Sequence, residues 1–422
     1  ESSDLDDNTQ AYLLGFSQRG QERKRQLRDV ANLVRMFIRM KSLRAQRVMS
    51  TASGRSSRLS LGLGLEPSSP SSDVLQGLDS WSDFNMFEVA EATGGSPLLA
   101  VGQGILERRG LIETFLLPRG KLECFLSAIE SAYLAPAYHN AIHAADVTHG
   151  VHILLTRGIQ QGLSDLEVLA LIFSAVCHDV AHPGLTNDFQ IKSSTEEAIT
   201  YNDQSVNENM HLATAFRILA RPECNFVRDA LSLKQRESLR RMTIGMVLAT
   251  DMAKHFVNLN DLKEIVKGRG EDVRKWDSTL PKLEIALHAA DLSNTTRPFD
   301  IAIQWTDRVL EEFFVQGDQE RRLGREPSPL CDRFSVSRAT SQLGFIDFIV
   351  RPLFQTLTPF CDTSEMLDNM QGYRAYWAEE SSREKRPRRS SRRSATVSLL
   401  DNLEDRCCER VSQARRSSTM SN

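Results

Sequence analysis

The segment from Ser164 to Cys177 constrains the fold more than any other part of the sequence. It begins with a Ser/Asp helix-cap signal and is apolar on almost every side, as expected of a helix at the centre of a large helical domain. It ends at His178-Asp179, and Pro183-Gly184 then prevents the helix from continuing. The long alternating apolar runs that are typical of strands are missing from residues 81–377. The sequence therefore predicts an all-α fold, a compact multi-helix domain.

Three regions of the 422-residue chain differ in composition. One hydrophobic core usually stops growing at roughly 250 to 300 residues, so we expect one core with an extension at each end. Residues 1–74 form an N-terminal region that contains a basic amphipathic helix at about residues 21–49 and then a Ser/Gly/Pro-rich linker. Residues 75–378 form the helical domain. Residues 379–422 form a basic, Ser/Arg-rich tail that we expect to be disordered.

The charge and the cysteine content of the sequence indicate which kinds of partner the protein can bind and in which cellular compartment it is expected. The net charge of -3 gives no overall attraction to nucleic acid, and no apolar run approaches the roughly 20 residues that span a bilayer. The seven cysteines are scattered without C-x-x-C spacing, and no secretory signal opens the chain, which predicts a reduced, cytoplasmic setting.

The two extensions predict further partners. The apolar stripe of the basic helix is expected to dock on a regulatory protein such as calmodulin or on an anionic membrane surface. A solvated helix that packs nowhere is the alternative. The Arg/Ser-rich tail is a predicted substrate for a kinase, and the second expected localisation is association with a membrane through a tail.

Histidine and aspartate are concentrated in three short, apolar-flanked stretches at residues 138–146, 178–182 and 288–291. A buried charge must be paired or bound to a metal ion. Imidazole nitrogens and carboxylate oxygens from three helices suit a divalent ion, a pattern typical of HD-type metal-dependent phosphohydrolases. We expect Asp179, assisted by Asp291, to bridge two ions roughly 3.5 to 4 Å apart. For His139 and His143, four residues apart on one helix face, a packing role is the alternative.

The residues around these stretches resemble a known family. The sequence YHNAIHAADV begins at Tyr138, and it is followed in order by HDVAHPGLTNDF, HAADLSN, QWTDRVLEEFFVQGD, SPLCDR and SQLGFIDFIVRPLF. This order is similar to that of the class I cyclic-nucleotide phosphodiesterases, and most similar to their cyclic-AMP-specific type 4 group. The resemblance runs from about Leu75 to Phe354. It implies that residues 75–378 contain an all-α, HD-type catalytic domain.

The resemblance implies a two-metal site and a general acid. Four residues would bind the first ion, usually zinc: His143, His178, Asp179 and Asp291. The second ion, usually magnesium with manganese as an alternative, would be held by Asp179 and waters. His139 would protonate the leaving O3′ oxygen, and Glu208 would orient His139. Three further residues would position ligands and bridging water: His182, Thr250 and Asp251.

Other matched positions would bind the purine base. Gln342 corresponds to the purine-binding glutamine of the family and Phe345 to the ring that stacks on the base, with Val309 expected on the opposite face. Asn294 falls where the cyclic-AMP-specific members carry an asparagine that pairs with the amino edge of adenine. Four further residues are expected to contact the substrate: Tyr138, Met252, Trp305 and Thr306. The structural alternatives are a core role for Phe345 and a turn-capping role for Asn294.

Three positions depart from the family pattern. Ala181 replaces a common acid and Met210 a common histidine, and neither is an expected ligand. The tyrosine that braces the purine-binding glutamine in type 4 enzymes falls on Ala302, which predicts that the Gln342 amide can rotate and accept guanine as well. The predicted function is metal-dependent hydrolysis of cyclic AMP to 5′-AMP. The alternatives are a dual cyclic-AMP and cyclic-GMP phosphodiesterase, another HD-type nucleotide phosphohydrolase, and a cyclic-nucleotide-binding regulator without turnover.

Overall fold

The computed structural model describes residues 74–385, which form helices and connecting loops without a strand. The predicted all-α fold is confirmed. The chain divides into two units at Ala378/Glu379, and the first contains the residues His143, His178, Asp179 and Asp291. The predicted basic helix, the linker and the tail beyond residue 385 lie outside the described residues. Within the described range, no helix combines the length and the apolar composition needed to cross a membrane.

The first part of the described chain, up to residue 219, contains helices α1 to α9. Their bounds are α1 Met86–Ala92, α2 Pro97–Arg108, α3 Leu111–Phe115, α4 Arg119–Ala132, α5 Ala141–Leu154, α6 Asp165–Cys177, α7 Asn187–Ser193, α8 Glu196–Thr200 and α9 Val206–Leu219. A π-helix, Leu155–Ile159, directly follows α5.

The remaining described chain contains helices α10 to α17. Their bounds are α10 Phe226–Ala230, α11 Leu233–Ala249, α12 His255–Arg269, α13 Leu280–Asp291, α14 Phe299–Arg322, α15 Arg338–Phe345, α16 Arg351–Leu357 and α17 Ser364–Lys385. Short 3-10 helices lie at Met252–Lys254, Val273–Lys275 and Ser293–Thr296, and a π-helix at Ile346–Val350 joins α15 to α16.

Helix α6 lies at the centre of the core. Ser164 and Glu167 form a capping box at its start, in which each side chain accepts a hydrogen bond from the backbone N–H of the other residue. Every residue from 168 to 177 is buried, and α6 packs against α2, α5, α11 and α13. His178 and Asp179 therefore emerge from the end of a helix that is enclosed by other helices.

A buried ion pair holds the turn that precedes α14. The Arg297 guanidinium is fully buried and donates to Asp146 Oδ1 of α5 and to the Trp81 carbonyl oxygen. Trp81 Nε1 in turn donates to the carbonyl oxygen of Thr296 at 2.7 Å. Removing one partner of such a pair would leave an uncompensated buried charge. This network therefore holds the Ser293–Thr296 turn, which carries Asn294, against α5.

Helix α17 continues to Lys385. The predicted boundary of the disordered tail at residue 379 falls inside this helix, so residues 379–385 are helical rather than disordered. Arg383 forms ion pairs with Glu379 and Glu380 at helical spacing, an arrangement that supports a helix beyond the point at which apolar residues become scarce.

Candidate active site

Asn140 determines how the first two histidines are presented. Its side-chain oxygen accepts from the backbone N–H groups of Ile142 at 3.0 Å and His143 at 3.4 Å, so that α5 begins at Ala141. His143 lies in the first turn of α5, whereas His139 lies in the loop before the cap. The prediction that both histidines share one helix face is therefore wrong. The loop nevertheless brings the two rings to 5.7 Å between centroids.

Four side chains meet where α5, α6 and α13 converge. His143 Nε2 lies 3.1 Å from Asp291 Oδ1 and 3.5 Å from Asp179 Oδ2. His178 Nε2 lies 3.2 Å from Asp179 Oδ2 and 3.4 Å from Asp291 Oδ1. One ligand atom from each residue lies within 4.8 Å of the others. The structure thus brings together the four residues that were expected to bind the first metal ion.

The chemistry of this donor set fits a divalent ion. His178 Nδ1 donates to the carbonyl oxygen of Ala175 at 2.8 Å, which leaves the lone pair of Nε2 directed at the cluster. Burial opposes ionisation of Asp179 and Asp291, but His143 and His178 hold the pKa of both carboxyl groups below the usual range. The cluster therefore offers two carboxylates and two imidazole nitrogens, which suit zinc and also harder divalent ions.

A second group of ligand atoms shares Asp179. Asp179, His182 and His211 each place one ligand atom within 4.8 Å of the others. His211 Nδ1 donates to the Val180 carbonyl oxygen at 2.7 Å, and its buried Nε2 lies 3.5 Å from Asp179 Oδ1 without a hydrogen bond to any residue from 74 to 385. A buried nitrogen without a hydrogen bond requires an explanation, and an ion or an ordered water is a common one. Asp179 therefore lies where a carboxylate could bridge two ions.

The backbone turns sharply between Asp179 and α7. Ala181 has a φ of +66°, a left-handed conformation that is unfavourable for a residue with a Cβ atom. Gly184 has a φ of +72°, and a Cβ atom there would approach Pro136 Cβ to 2.9 Å. Gly184 N donates to His182 Nδ1 at 3.0 Å. The turn thereby stacks the His182 ring on the His139 ring, with 4.1 Å between centroids.

Glu312 of α14 orients His139. Its Oε1 lies 2.5 Å from His139 Nδ1, and its Oε2 accepts from the backbone N–H groups of Tyr138 at 2.7 Å and His139 at 3.1 Å. The prediction that Glu208 orients His139 is wrong. Glu208 lies in the first turn of α9, where its carboxylate accepts from Asn187 Nδ2 at 2.9 Å.

The two glutamates also differ in charge. Burial opposes ionisation of Glu312, but His139 lowers its pKa to about 2. Burial also opposes protonation of His139, yet Glu312 raises its pKa to about 9. Burial, followed by the negative charge of Asp251, raises the pKa of Glu208 to about 8. Near neutral pH, a protonated His139 therefore faces an ionised Glu312, while Glu208 is mostly neutral.

One cavity of about 250 Å³ joins the metal-ligand cluster to the expected base-binding residues. Thirteen of the residues singled out in the sequence line this cavity: Tyr138, His139, Asp179, His182, Glu208, Thr250, Asp251, Met252, Asp291, Asn294, Val309, Gln342 and Phe345. Val309 and Phe345 are half-buried, so that apolar surface of both is available to a ligand. His143 and His178 are buried next to this lining.

Two residues that were predicted to contact the substrate lie behind the cavity wall. Trp305 is 1% exposed, and its ring packs against Phe87 at 4.5 Å and Tyr138 at 5.6 Å between centroids. Thr306 is also 1% exposed, and its hydroxyl donates to Gln342 Oε1 at 3.1 Å. Trp305 and Thr306 are therefore not part of the cavity lining, and both side chains support residues that line the cavity.

Two amides at the other end of the cavity have defined orientations. Gln342 Oε1 accepts from Thr306, and Gln342 Nε2 makes no hydrogen bond to any residue from 74 to 385. Asn294 Nδ2 donates to the Tyr138 hydroxyl at 3.0 Å, and its buried Oδ1 has no hydrogen-bond partner within the described part of the chain. Gln342 Nε2 is thus available to a ligand at this end, whereas Asn294 Oδ1 has almost no exposed surface.

Sequence reasoning missed Glu312 and His211. Helical spacing carried a signal for Glu312, because it follows Val309 by three residues and Trp305 by seven, and so lies on the same face of α14. His211 likewise follows Glu208 by three residues on α9. Spacing within one helix does not indicate which of two helices faces His139, so it could not separate Glu312 from Glu208.

The helical fold and the arrangement of histidines, carboxylates and amides around one cavity define the class of protein. The chain belongs to the 3′5′-cyclic nucleotide phosphodiesterase family, whose sequence model matches residues 138–370, more than half of the chain. The family predicted from the sequence is confirmed. Members of the family depend on metal ions, and the matched range contains the four residues of the His/Asp cluster.

The relatives of the chain include 3′,5′-cyclic-AMP phosphodiesterase 4C of Mus musculus and of Rattus norvegicus. Each is 42% identical over 313 residues, which cover 72% of this chain and 45% or 58% of the relative, respectively. A Caenorhabditis elegans protein named probable 3′,5′-cyclic-AMP phosphodiesterase pde-4 is 42% identical over 312 residues, 72% of this chain and 46% of the relative. The chain spans about half the length of these relatives. The predicted similarity to the type 4 group is confirmed.

A solved structure supports the same fold. The phosphodiesterase domain of the RhoPDE fusion protein from the choanoflagellate Salpingoeca rosetta superposes with a TM-score of 0.64 at 34% sequence identity. The superposition covers 68% of this chain and 92% of the other one.

Proposed function

We propose that this chain hydrolyses 3′,5′-cyclic AMP to 5′-AMP in a metal-dependent reaction, and that residues 75–378 contain the catalytic domain. One observation carries the proposal: carboxylates of the His/Asp cluster, the His139–Glu312 pair and the two amides all border one cavity. They would act on the phosphate, the leaving oxygen and the base, respectively. The names of the three relatives, all cyclic-AMP phosphodiesterases, support the same substrate.

The metal ligands are proposed in two groups. His143, His178, Asp179 and Asp291 would hold one ion, and Asp179 would hold the second with His182 and His211 close by. Divalent ions at these positions would lower the pKa of a water to about 7 and neutralise phosphate oxygens. We propose zinc for the first group, because two imidazole nitrogens suit zinc, and magnesium or manganese for the second. Metal analysis of the purified protein tests these identities.

His139 is the proposed proton donor. Because Glu312 engages its Nδ1, the proton available for transfer is the one on Nε2. A water would first lose one proton to the solvent; as the oxygen of the resulting hydroxide bonds to phosphorus and the P–O3′ bond breaks, O3′ takes the Nε2 proton and becomes the 3′-hydroxyl of 5′-AMP. Glu312 raises the pKa of His139 to about 9 against the effect of burial, which keeps the donor protonated at neutral pH.

The two amides favour adenine over guanine. The N6 amino group of adenine can donate to Gln342 Oε1, while Gln342 Nε2 can donate to ring nitrogen N1; a second bond from N6 to Asn294 Oδ1 would require the Asn294 amide to turn towards the cavity. Guanine carries the acceptor O6 at the position of N6, and O6 would face the acceptor oxygen Gln342 Oε1. An unsatisfied buried polar group costs about 1 to 3 kcal/mol, or roughly 5- to 150-fold in selectivity.

Hydrolysis of both nucleotides by the purified chain tests the proposal. We expect turnover of cyclic AMP with divalent metal, loss of turnover after chelation, and recovery when metal is returned. The kcat/KM for cyclic AMP should exceed that for cyclic GMP by at least about 5-fold. Equal values would indicate a dual phosphodiesterase. Binding of cyclic AMP to the metal-loaded protein without turnover would indicate a regulator and would contradict the proposal.

A further inference from the structure

Tyr373 lies behind Gln342 on a different helix. Gln342 belongs to α15, whereas Tyr373 belongs to α17 and is 1% exposed. The Tyr373 hydroxyl lies 2.8 Å from Thr306 Oγ1, which in turn lies 3.1 Å from Gln342 Oε1. A chain of two hydrogen bonds therefore runs from α17 through α14 to the wall of the cavity.

The distances show which group donates in each of these two hydrogen bonds, because each hydroxyl has a single proton. The Tyr373 hydroxyl lies 3.3 Å from the Ala302 carbonyl oxygen but only 2.8 Å from Thr306 Oγ1. Tyr373 therefore donates its proton to the nearer acceptor, Thr306 Oγ1. Burial raises the pKa of Tyr373 to about 12 despite its bond to Thr306, so that this hydroxyl remains a donor at neutral pH. Thr306 accepts from Tyr373 and donates its own proton to Gln342 Oε1.

A carbonyl oxygen of α14 could also accept the proton of Thr306. A threonine inside a helix can donate to the carbonyl oxygen four residues earlier, which for Thr306 is that of Ala302. The Tyr373 hydroxyl lies beside this same carbonyl. Without that hydroxyl, Thr306 is free to donate to Ala302 and to accept from Gln342 Nε2, and the Gln342 amide then turns over.

We infer that Tyr373 is a specificity-determining positioning residue of the base pocket. Its hydroxyl directs the proton of Thr306, and Thr306 holds the Gln342 amide with Oε1 as acceptor and Nε2 free to donate. This is the orientation that matches the amino group and N1 of adenine. The inference rests on the proposed function. It replaces the expectation that Ala302 frees the amide, since a tyrosine from another helix supplies the brace.

The substitution Tyr373→Phe removes only the hydroxyl. We expect the ratio of kcat/KM for cyclic AMP to that for cyclic GMP to fall by about 5- to 30-fold, because the amide loses its preferred orientation. The matched control is Tyr376→Phe on the same helix, where the ring packs against Phe299 at 4.9 Å between centroids. This control should leave the ratio unchanged.

Two substitutions of Thr306 test whether Tyr373 acts through it. Thr306→Val preserves the shape of the side chain without a hydroxyl and should lower the ratio to a similar extent. The double variant Tyr373→Phe/Thr306→Val should show no further loss, because both changes interrupt one chain of hydrogen bonds. Thr306→Ser retains the hydroxyl and should retain the ratio.

An equal loss of kcat/KM for both nucleotides in Tyr373→Phe, with the ratio unchanged, would overturn the inference and leave Tyr373 a packing role only. The same variants are also compared by equilibrium binding of cyclic AMP and cyclic GMP to the metal-free full chain, which requires no turnover. If the wild-type chain binds nucleotides without hydrolysing them, the proposed function fails, and the ratio of Kd values still decides the role of Tyr373. If the metal-loaded wild-type chain neither binds nor hydrolyses cyclic AMP and cyclic GMP, both proposals fail.

Discussion

The cavity has a metal end, bordered by the His/Asp cluster, and a base end, bordered by Gln342 and Asn294. The two ends differ in how many further side chains set the orientation of the residues that line them. At the metal end the expected ligands contact one another directly, as His143 does Asp291 and His178 does Asp179. At the base end Gln342 depends on Thr306, and Thr306 depends on Tyr373. The orientation of a cavity-lining amide is thus set by two side chains that are each 1% exposed.

This contrast separates rate from selectivity. Cyclic AMP and cyclic GMP share the cyclic phosphate, so a change at the metal end should affect both nucleotides equally. They differ in the donors and acceptors of the base, so a change at the base end should alter the ratio of their kcat/KM values. A substitution at the metal end that changes the ratio, or one at the base end that lowers both kcat/KM values equally, would show that the two ends are coupled.

The largest effect is expected from Asp179→Asn, which removes the carboxylate that both ligand groups share. We expect kcat/KM to fall about 1,000-fold or more for both nucleotides, because several kcal/mol of charge stabilisation depend on the ions. Turnover and metal content per chain are measured together, with Asp261→Asn, on the exposed face of α12, as the control. A folded Asp179→Asn protein with near-normal turnover would refute the metal-end assignment.

Glu312→Gln should have a smaller effect that depends on pH. His139 loses the negative charge that raises its pKa to about 9, so its pKa falls and the protonated form is lost at lower pH. The alkaline limb of the kcat/KM profile should therefore move to lower pH, with about 10- to 100-fold less activity at pH 8.

Glu208→Gln is the matched control for Glu312→Gln. Glu208 has a pKa of about 8 and contacts Asn187 rather than His139. The alkaline limb should stay in place in this variant. A shift with Glu208→Gln and none with Glu312→Gln would restore the assignment made from the sequence.

Asn294→Ala should alter selectivity more than rate. It removes the unpartnered Oδ1 from the base end, and we expect kcat/KM for cyclic AMP to fall about 5- to 150-fold, with a smaller change for cyclic GMP. Tyr138→Phe, which removes only the acceptor of Asn294 Nδ2, should give a weaker form of the same change. Equal losses for both nucleotides would mean that Asn294 only caps its turn.

The smallest effect is expected at the metal end and concerns stability alone. Ala181 is held at a φ of +66°, so Ala181→Gly should relieve strain and stabilise the fold by about 0.5 to 1 kcal/mol. Thermal unfolding should show a rise of about 1 to 4 °C in Tm. Ala375→Gly, at an exposed position of α17, should lower Tm, because glycine weakens a helix interior. A lower Tm for Ala181→Gly would show that its backbone is not strained.

The sequence by itself determined the helical fold, the family and which side chains form the His/Asp cluster. Each of these features follows from residues that are close together in the sequence or from a complete sequence motif. Helix α6 is apolar all round, so it must be enclosed, and His178-Asp179 directly follows it. Buried histidines and aspartates need a partner or an ion, so the three stretches that carry them were expected to meet at one site.

Only the tertiary structure decided which side chains meet across helices. Helical spacing places Glu312 and Thr306 on faces of α14, but it does not state that one faces His139 and the other Gln342. The hydroxyl of Tyr373 reaches Thr306, 67 residues earlier in the chain. Hydrogen-bond direction depends on distances of a few tenths of an ångström between separate helices. Those distances arise from the packing of the whole domain, so no motif in the sequence contains them.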